Sequence, residues 1–499
     1  MSKKRFYAAA LLAALAVSFT LIFAACSNSS APVILPYNDA FKSKLKALPN
    51  VSSVERVTQK NTFHGKLYKV YFNSLLDPSD SSKGTFRQKA YIGFAGYDKP
   101  NCLMTTGYSL SDYAALARYS ENEAAFILQG NLIAVEHRYF GESVRTDKKR
   151  TDGADYWEYL TTKNAADDLH AIVTQLKTLF TGKWLAQGAS KGGLTANLFC
   201  YYHPEDVDVT MPYVAPLCNA QADTRLFKFV YTEAGDKDSR YNSSGSADEY
   251  RELLTNIQIW LLEKRDQPYE EGKTFEEKYI ELSTPASSEP ISHALADLYY
   301  EMSIGDFPMG VWQYKDVKDF ADLKTFYNLP NDNDESADSN GKRQSKKSFL
   351  LSEILNDSGD DTLLPYVFQS FCELGNYRLD FSYLRQAIAA KGSSAKITIA
   401  PDQEMTVYQT GFSDAERALF AKYTPAIHDN LINWINTTDE QVIMIYGNSD
   451  PWYSVRIPDV SRDNVHIFVH PSNNHNSMIA NFPEAQRNKM EALLRQYLY

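Results

Sequence analysis

Gly188-Ala189-Ser190-Lys191-Gly192 is a G-x-S-x-G pentapeptide. The short apolar run Trp184-Leu185-Ala186 precedes it, and Leu194, Leu198 and Tyr201 follow at helical spacing. This is the strand–turn–helix setting of a nucleophile elbow, where small neighbours let the backbone turn sharply and hold a serine exposed. The following helix directs the positive end of its dipole at the same spot. A glycine-rich turn without chemistry is the competing reading of the pentapeptide alone, and the flanking strand and helix argue against it. Ser190 is the candidate nucleophile.

A serine hydroxyl is inert at neutral pH unless a base takes its proton, and the base needs a carboxylate to orient it. Around such an elbow the acid and then the histidine follow the serine along the chain. Gly447-Asn448-Ser449-Asp450-Pro451-Trp452 follows the apolar run Val442–Ile445, which sets Asp450 on a loop at a strand end. Val465–Val469 runs into Pro471-Ser472-Asn473-Asn474-His475, which sets His475 on the next such loop. Ser190, Asp450 and His475 are therefore expected to form an acyl-transfer triad. His470 is the alternative base, although it sits close to the strand end. His466 within the strand, His170 within a helix and His203 at a helix end read as packing residues. The competing role for Asp450 is a turn carboxylate ahead of Pro451.

A tetrahedral intermediate needs two converging N–H donors. The backbone N–H of Lys191, next after the nucleophile, is one. The other is expected from the loop after an earlier strand, where Thr106-Gly107-Tyr108 stands. The N–H of Tyr108 is the expected donor, with that of Gly107 as the alternative; the plainer reading makes Gly107 an ordinary loop glycine.

These residues need a frame. Residues 37–100 read as a β-rich entry, with period-two alternation over Leu67–Phe72 and a second strand over Ala90–Phe94. From residue 101, short apolar runs at Leu103–Thr106, Leu132–Val135, Lys183–Gln187 and Val207–Val214 are interleaved with helical patterns over 164–180 and 191–203. That order predicts an α/β fold with a parallel sheet covered on both faces. Residues 221–435 are mainly helical in pattern, as in Leu253, Ile257, Trp260 and Leu261, with a polar break at Asn331–Lys347 that reads as a surface loop. Strand signatures return at 442–445 and 465–469, and a closing helix carries Met490, Leu493, Leu494 and Tyr497. The expected organisation is a core over 37–220, a large helical cap inserted over 221–435 before the strand that leads to Asp450, and a return to the core over 436–499.

The chain opens differently. Ser2-Lys3-Lys4-Arg5 is cationic and Ala8–Ala25 is apolar and uncharged, the arrangement of a secretory signal. Phe23-Ala24-Ala25-Cys26 resembles the bacterial lipoprotein cleavage box. Residues 1–25 are thus expected to be a signal peptide, Cys26 the lipidated first residue, and 26–36 a tether. The expected location is outside the cytoplasm, anchored to a membrane on its periplasmic or extracellular side. An uncleaved membrane helix or a plain signal is the alternative. Four further cysteines, Cys102, Cys200, Cys218 and Cys372, leave the pairing open. No C-x-x-C spacing occurs, which argues against a zinc site. The 499 residues are 44% apolar and 23% charged, ordinary globular usage that excludes a disordered or multi-span chain. A net charge of −11 without a basic stripe excludes nucleic acid as a partner.

Lys183 through Thr195 resembles the bacterial prolyl tri/tetrapeptidyl aminopeptidase family, secreted serine peptidases of the α/β-hydrolase clan. Trp157, Leu160-Thr161, Ala165-Ala166, Asp168 and His170 upstream resemble it too, as do Tyr213-Val214-Ala215-Pro216, Asp450-Pro451-Trp452 and Asn474-His475 downstream. Glu136-His137-Arg138-Tyr139-Phe140-Gly141-Glu142-Ser143 is more similar to the related Pro-X carboxypeptidase and dipeptidyl peptidase II family. The resemblance implies an α/β-hydrolase sheet, the triad roles for Ser190, Asp450 and His475, and a cap closing a pocket over short N-terminal segments. It also implies short peptides as substrates and no metal or organic cofactor. Release of tri- or tetrapeptides, with a preference for proline at the cleaved bond, is the activity it suggests. An aminopeptidase must also hold a free α-ammonium, for which Glu373 and Glu301 are candidates, although each also reads as a structural ion-pair partner. Other readings stand beside this one: a Pro-X-type carboxypeptidase or dipeptidyl peptidase, or an esterase, using the same triad, and a non-catalytic peptide-binding lipoprotein.

Overall fold

The computed structural model describes residues 39–57, 66–110, 123–242, 247–268, 272–278, 293–315, 335–337, 343–345 and 363–499. The expected signal segment, Cys26 and the tether lie outside the described residues. After a short helix α1 (Ala40–Lys46), strands β1 (Val51–Val57), β2 (Leu67–Leu75) and β3 (Thr85–Gly93) form an antiparallel entry. Then come β4 (Asn101–Thr105), α2 (Glu123–Leu128), β5 (Asn131–Val135), α3 (Thr162–Lys177), β6 (Trp184–Ala189), α4 (Lys191–Tyr202) and β7 (Val209–Tyr213).

One nine-stranded sheet takes the order β1-β2-β3-β5-β4-β6-β7-β10-β11, where β10 is Gln441–Gly447 and β11 is Val465–His470. From β5 through β11 every neighbouring pair is parallel. The exchange of β4 and β5 relative to chain order, followed by a regular parallel progression, is the α/β-hydrolase arrangement, with β1 added at one edge. The central strands are buried along their whole length, so they carry apolar residues on both sides. Alternate residues divide between two cores. Leu103, Ile133, Ala186, Val442 and Met444 face α3 and α4, whereas Cys102, Met104, Leu132, Leu185, Met211 and Ile445 face α2 and the closing helix α12 (Glu484–Leu498).

Between β7 and β10 the described residues are mainly helical: α5 (Arg225–Thr232), α6 (Ala247–Lys264), α7 (His293–Tyr314), α8 (Leu364–Gln369, continued as a wide turn through Leu374), α9 (Ser382–Lys391), α10 (Asp414–Phe420) and α11 (Ala426–Thr437). α5, α6, α7 and α9 share an apolar cluster that includes Phe227, Ile257, Tyr300, Trp312 and Leu384, and Trp452 and Val455 join it from the loop after β10. The last helix behaves differently. α11 buries Ile427, Leu431, Trp434 and Ile435 in the same cluster as α3 and α4, so it covers the sheet. Within the polar break at 331–347, expected as a loop, β8 (Glu335–Ala337) pairs antiparallel with β9 (Arg343–Ser345). The four cysteines from Cys102 to Cys372 are thiols. No helix among the described residues is long and apolar enough to cross a membrane.

Candidate active site

Ser190 sits between β6 and α4 at φ 55°, ψ −126°. A non-glycine residue avoids this region unless its surroundings hold it there, and such strain gathers at functional turns. Two backbone bonds hold it. Its N–H donates to Tyr213 O at 2.9 Å on the neighbouring strand, and its carbonyl accepts from Leu194 N at 3.0 Å as the first bond of α4. Gly192 explains the small residue two places on. A Cβ there would lie 2.4 Å from Thr105 O, because the end of β4 presses on the first turn of α4. Thr105 Oγ1 fastens that contact, donating to Gly192 O at 2.6 Å.

Asp450 follows β10 and is fully buried. Its Oδ1 accepts the Trp452 N–H at 3.0 Å, capping the short helical turn Pro451–Val455 whose first position is a proline that needs no acceptor. This leaves Oδ2 for an imidazole. His475, on the loop after β11, places Nδ1 2.7 Å from that oxygen. A carboxylate only accepts, so Nδ1 carries the proton and the lone pair rests on Nε2. Nε2 is buried and has no hydrogen-bond partner among the described residues. The structure therefore joins two of the three expected residues directly. Ser190 stands at the end of β6, separated from β10 only by β7, roughly 10 Å in the sheet. No hydrogen bond from its hydroxyl to Nε2 is present among the described residues, as is common for a nucleophile and base before substrate binds.

The rival histidines are occupied. His470 uses Nε2 on Asn481 O at 2.7 Å and Nδ1 on the Ser472 N–H at 3.0 Å, so no lone pair remains for a serine. His466 contacts the Tyr497 hydroxyl. His170 and His203 bond Asp206 and Asp167 and stack at 4.2 Å. With Glu205 they form a group whose ligand atoms lie within 4.8 Å. Each ring bonds a carboxylate through one nitrogen, and the ring planes lie at 11° to one another. This group lies at the far end of α4 from Ser190, roughly 18 Å along the helix.

On the opposite flank, Gly107 adopts φ +70°, and a Cβ there would come within 2.5 Å of Gly192 N. The Thr106–Tyr108 loop thus rests directly on the first turn of α4, where N–H groups have no intrahelical acceptor. Tyr108 is half-buried, with its ring edge-on to Phe140 at 5.7 Å and to Tyr366 at 5.7 Å. Of the two carboxylates considered for the substrate amine, Glu301 is closed to it. Glu301 is fully buried and accepts from Thr398 N, Thr398 Oγ1, Ile399 N and Arg265 Nη2. Glu373 accepts the Thr162 N–H at 2.7 Å at the start of α3.

The site also holds residues that nothing in the linear sequence marks. Gln313 O, at the end of α7, accepts the His475 N–H at 3.1 Å, and Lys315 O accepts from Asn474 Nδ2 at 2.9 Å. Tyr314 stands edge-on to the imidazole at 6.0 Å. The helical segment thereby touches the histidine loop itself. About 160 residues separate these partners, so no local pattern could have paired them.

The sequence pattern of one family, PS-10 peptidase S37, matches residues 36–497. A prolyl tri/tetrapeptidyl aminopeptidase of Streptomyces mobaraensis is 26% identical over 484 residues, covering 93% of this chain and 86% of that relative. Among solved structures, the α/β hydrolase GrgF from Penicillium sp. sh18 aligns with 87% of this chain and 99% of its own at 10% identity and a TM-score of 0.35. An esterase of Pyrococcus furiosus aligns with 89% and 97% at 13% identity and a TM-score of 0.35.

Proposed function

Because this chain belongs to the PS-10 peptidase S37 family, and is thus a serine peptidase, we propose that Ser190, His475 and Asp450 are its catalytic triad and that it releases short peptides from peptide N-termini. The observation that carries the triad is the buried 2.7 Å Asp450–His475 bond, which leaves the imidazole Nε2 without a hydrogen-bond partner among the described residues. In the proposed reaction His475 Nε2 removes the Ser190 proton as Oγ attacks the scissile carbonyl. The oxyanion is held by the N–H groups of Lys191 and Tyr108. The imidazolium then protonates the leaving amine, and water, activated by the same nitrogen, hydrolyses the acyl-enzyme. Asp450 keeps the imidazole in the required tautomer throughout.

Release of tri- or tetrapeptides, with proline favoured at the cleaved bond, is supported by the Streptomyces mobaraensis relative's name and by the helical segment lying against the histidine loop. Export and lipidation at Cys26 rest on the N-terminal sequence alone. Digestion of a mixed peptide library, read by mass spectrometry, tests the specificity: uniform release of three- or four-residue N-terminal fragments is expected, and internal or C-terminal cutting refutes it. Mass analysis of the mature N-terminus in wild type and Cys26→Ser tests the anchor.

A further inference from the structure

Lys191 supplies a backbone N–H to the proposed oxyanion hole, yet its side chain does not extend to solvent. It is 3% exposed, and its Nζ donates to Gly107 O at 2.6 Å. The ammonium lies over the faces of Phe140 and Tyr108, 5.1 and 5.5 Å from their centroids. A buried cation is costly unless something uses it, and the hydrogen-bond acceptor here is a neutral carbonyl. That carbonyl matters because of its position. Gly107 C=O and Tyr108 N–H belong to one peptide unit, which is trans, so the two groups point in opposite directions. Gripping the oxygen from the interior turns the N–H the other way. Gly107 has no side chain to fix its backbone, and its left-handed conformation leaves this peptide dependent on outside contacts.

We propose that Lys191 is a positioning residue of the oxyanion hole: by holding the Gly107 carbonyl it aims the Tyr108 N–H at the Ser190 side of the loop, so one residue provides the first donor and orients the second. This rests on the triad reading given above. It extends that reading by making the residue after the nucleophile specific in its side chain as well as its backbone.

Protonation gives an independent handle. Burial pushes the Lys191 ammonium down to about 7, with the Glu373 carboxylate opposing that shift. The titratable groups facing it are His137, which burial holds neutral, Tyr108 on the loop, and Glu373 from the turn after α8, itself pushed up to about 7 by burial. The sign follows directly. The charge is present below about 7 and lost as pH rises through that value, so turnover should carry a limb that falls on the alkaline side.

The test compares Lys191→Met, Lys191→Arg, Glu373→Gln and Ser190→Ala on one chromogenic peptide. Lys191→Met is expected to lose about 10- to 100-fold in kcat with KM within about threefold, because a misaimed donor is felt only in the transition state. Lys191→Arg, reaching into the small cavity beside His137, Thr195 and Gln369, is expected to recover most of kcat. Both should lack the falling limb, and Glu373→Gln should keep it. Wild-type kcat in Lys191→Met overturns the proposal, as does an unchanged limb in Lys191→Arg. Should the Met variant fail to fold, the Arg profile decides alone. Turnover by Ser190→Ala would instead refute the triad and leave a separate signature.

Discussion

At the scale of single residues, the site depends on how each hydrogen-bonding atom is already committed. Asp450 has two oxygens; one caps a backbone turn and the other holds an imidazole. Asp450→Asn keeps the shape but offers an amide where the tautomer needs an acceptor. We expect kcat to fall by about 10⁴-fold with little change in melting temperature, measured by steady-state kinetics and circular dichroism. His475→Ala should abolish turnover. His470→Ala should leave chemistry largely intact, since both of its nitrogens are engaged in the backbone of its own loop and the 481 carbonyl. Full turnover in His475→Ala would transfer the base to another group. A fluorophosphonate probe adds a direct readout: wild type should label and Ser190→Ala should not.

At the scale of elements, the elbow works because β4, β6 and α4 approach more closely than side chains allow. Gly192→Ala would thrust a methyl to 2.4 Å from Thr105 O, a backbone atom that cannot swing away. A loss of about 1–3 kcal/mol in denaturant unfolding, together with reduced kcat, is expected. The loop after β5 is pinned in another way. Arg138 bonds Asp168 on α3 through two nitrogens at 2.8 and 2.7 Å and also donates to Leu76 O and Tyr159 O, all out of solvent. Arg138→Met leaves Asp168 buried and unpaired, which should cost about 3–5 kcal/mol by urea titration. Arg138→Met with Asp168→Leu should recover part of that loss, because the stranded charge is then gone.

At the scale of the whole molecule, an aromatic and ionic joint helps fasten the helical segment to the sheet's loops. Trp157 stacks on Phe368 at 4.6 Å, and its indole N–H donates to Glu416 Oε1 at 2.5 Å. The same carboxylate pairs with Arg150 at 2.6 Å and closes the capping box of α10 through Ser413. Glu416→Ala should weaken this joint by on the order of 2–4 kcal/mol and expose the segment to limited proteolysis. Burial works to raise the Glu416 carboxyl, but bonds from Ser413 and Trp157 and the Arg150 charge hold it below its ordinary 4.5. Its contribution is therefore present above that value and lost as pH falls through the lower native one. Wild type should accordingly become more protease-sensitive in acid, and Glu416→Ala should show less of that change.

The linear chain determined the parts whose signal is local. The pentapeptide around Ser190, the strand-end loops carrying Asp450 and His475, and the double-sided apolar runs of the central strands are all written within a few residues, because periodicity and turn chemistry are short-range. Chain position favoured His475 over His470, which ends the strand, but only the folded loop shows which ring meets Asp450 and which is spent on backbone. Glu301 looks available as text and is saturated in space. α11 resembles its helical neighbours in pattern, yet it covers the sheet because its apolar face meets α4. The touch of Gln313 on His475 and the grip of Lys191 on Gly107 join residues 162 and 84 positions apart. Such pairings arise when the sheet brings distant strand ends to one edge, and packing rather than periodicity decides them.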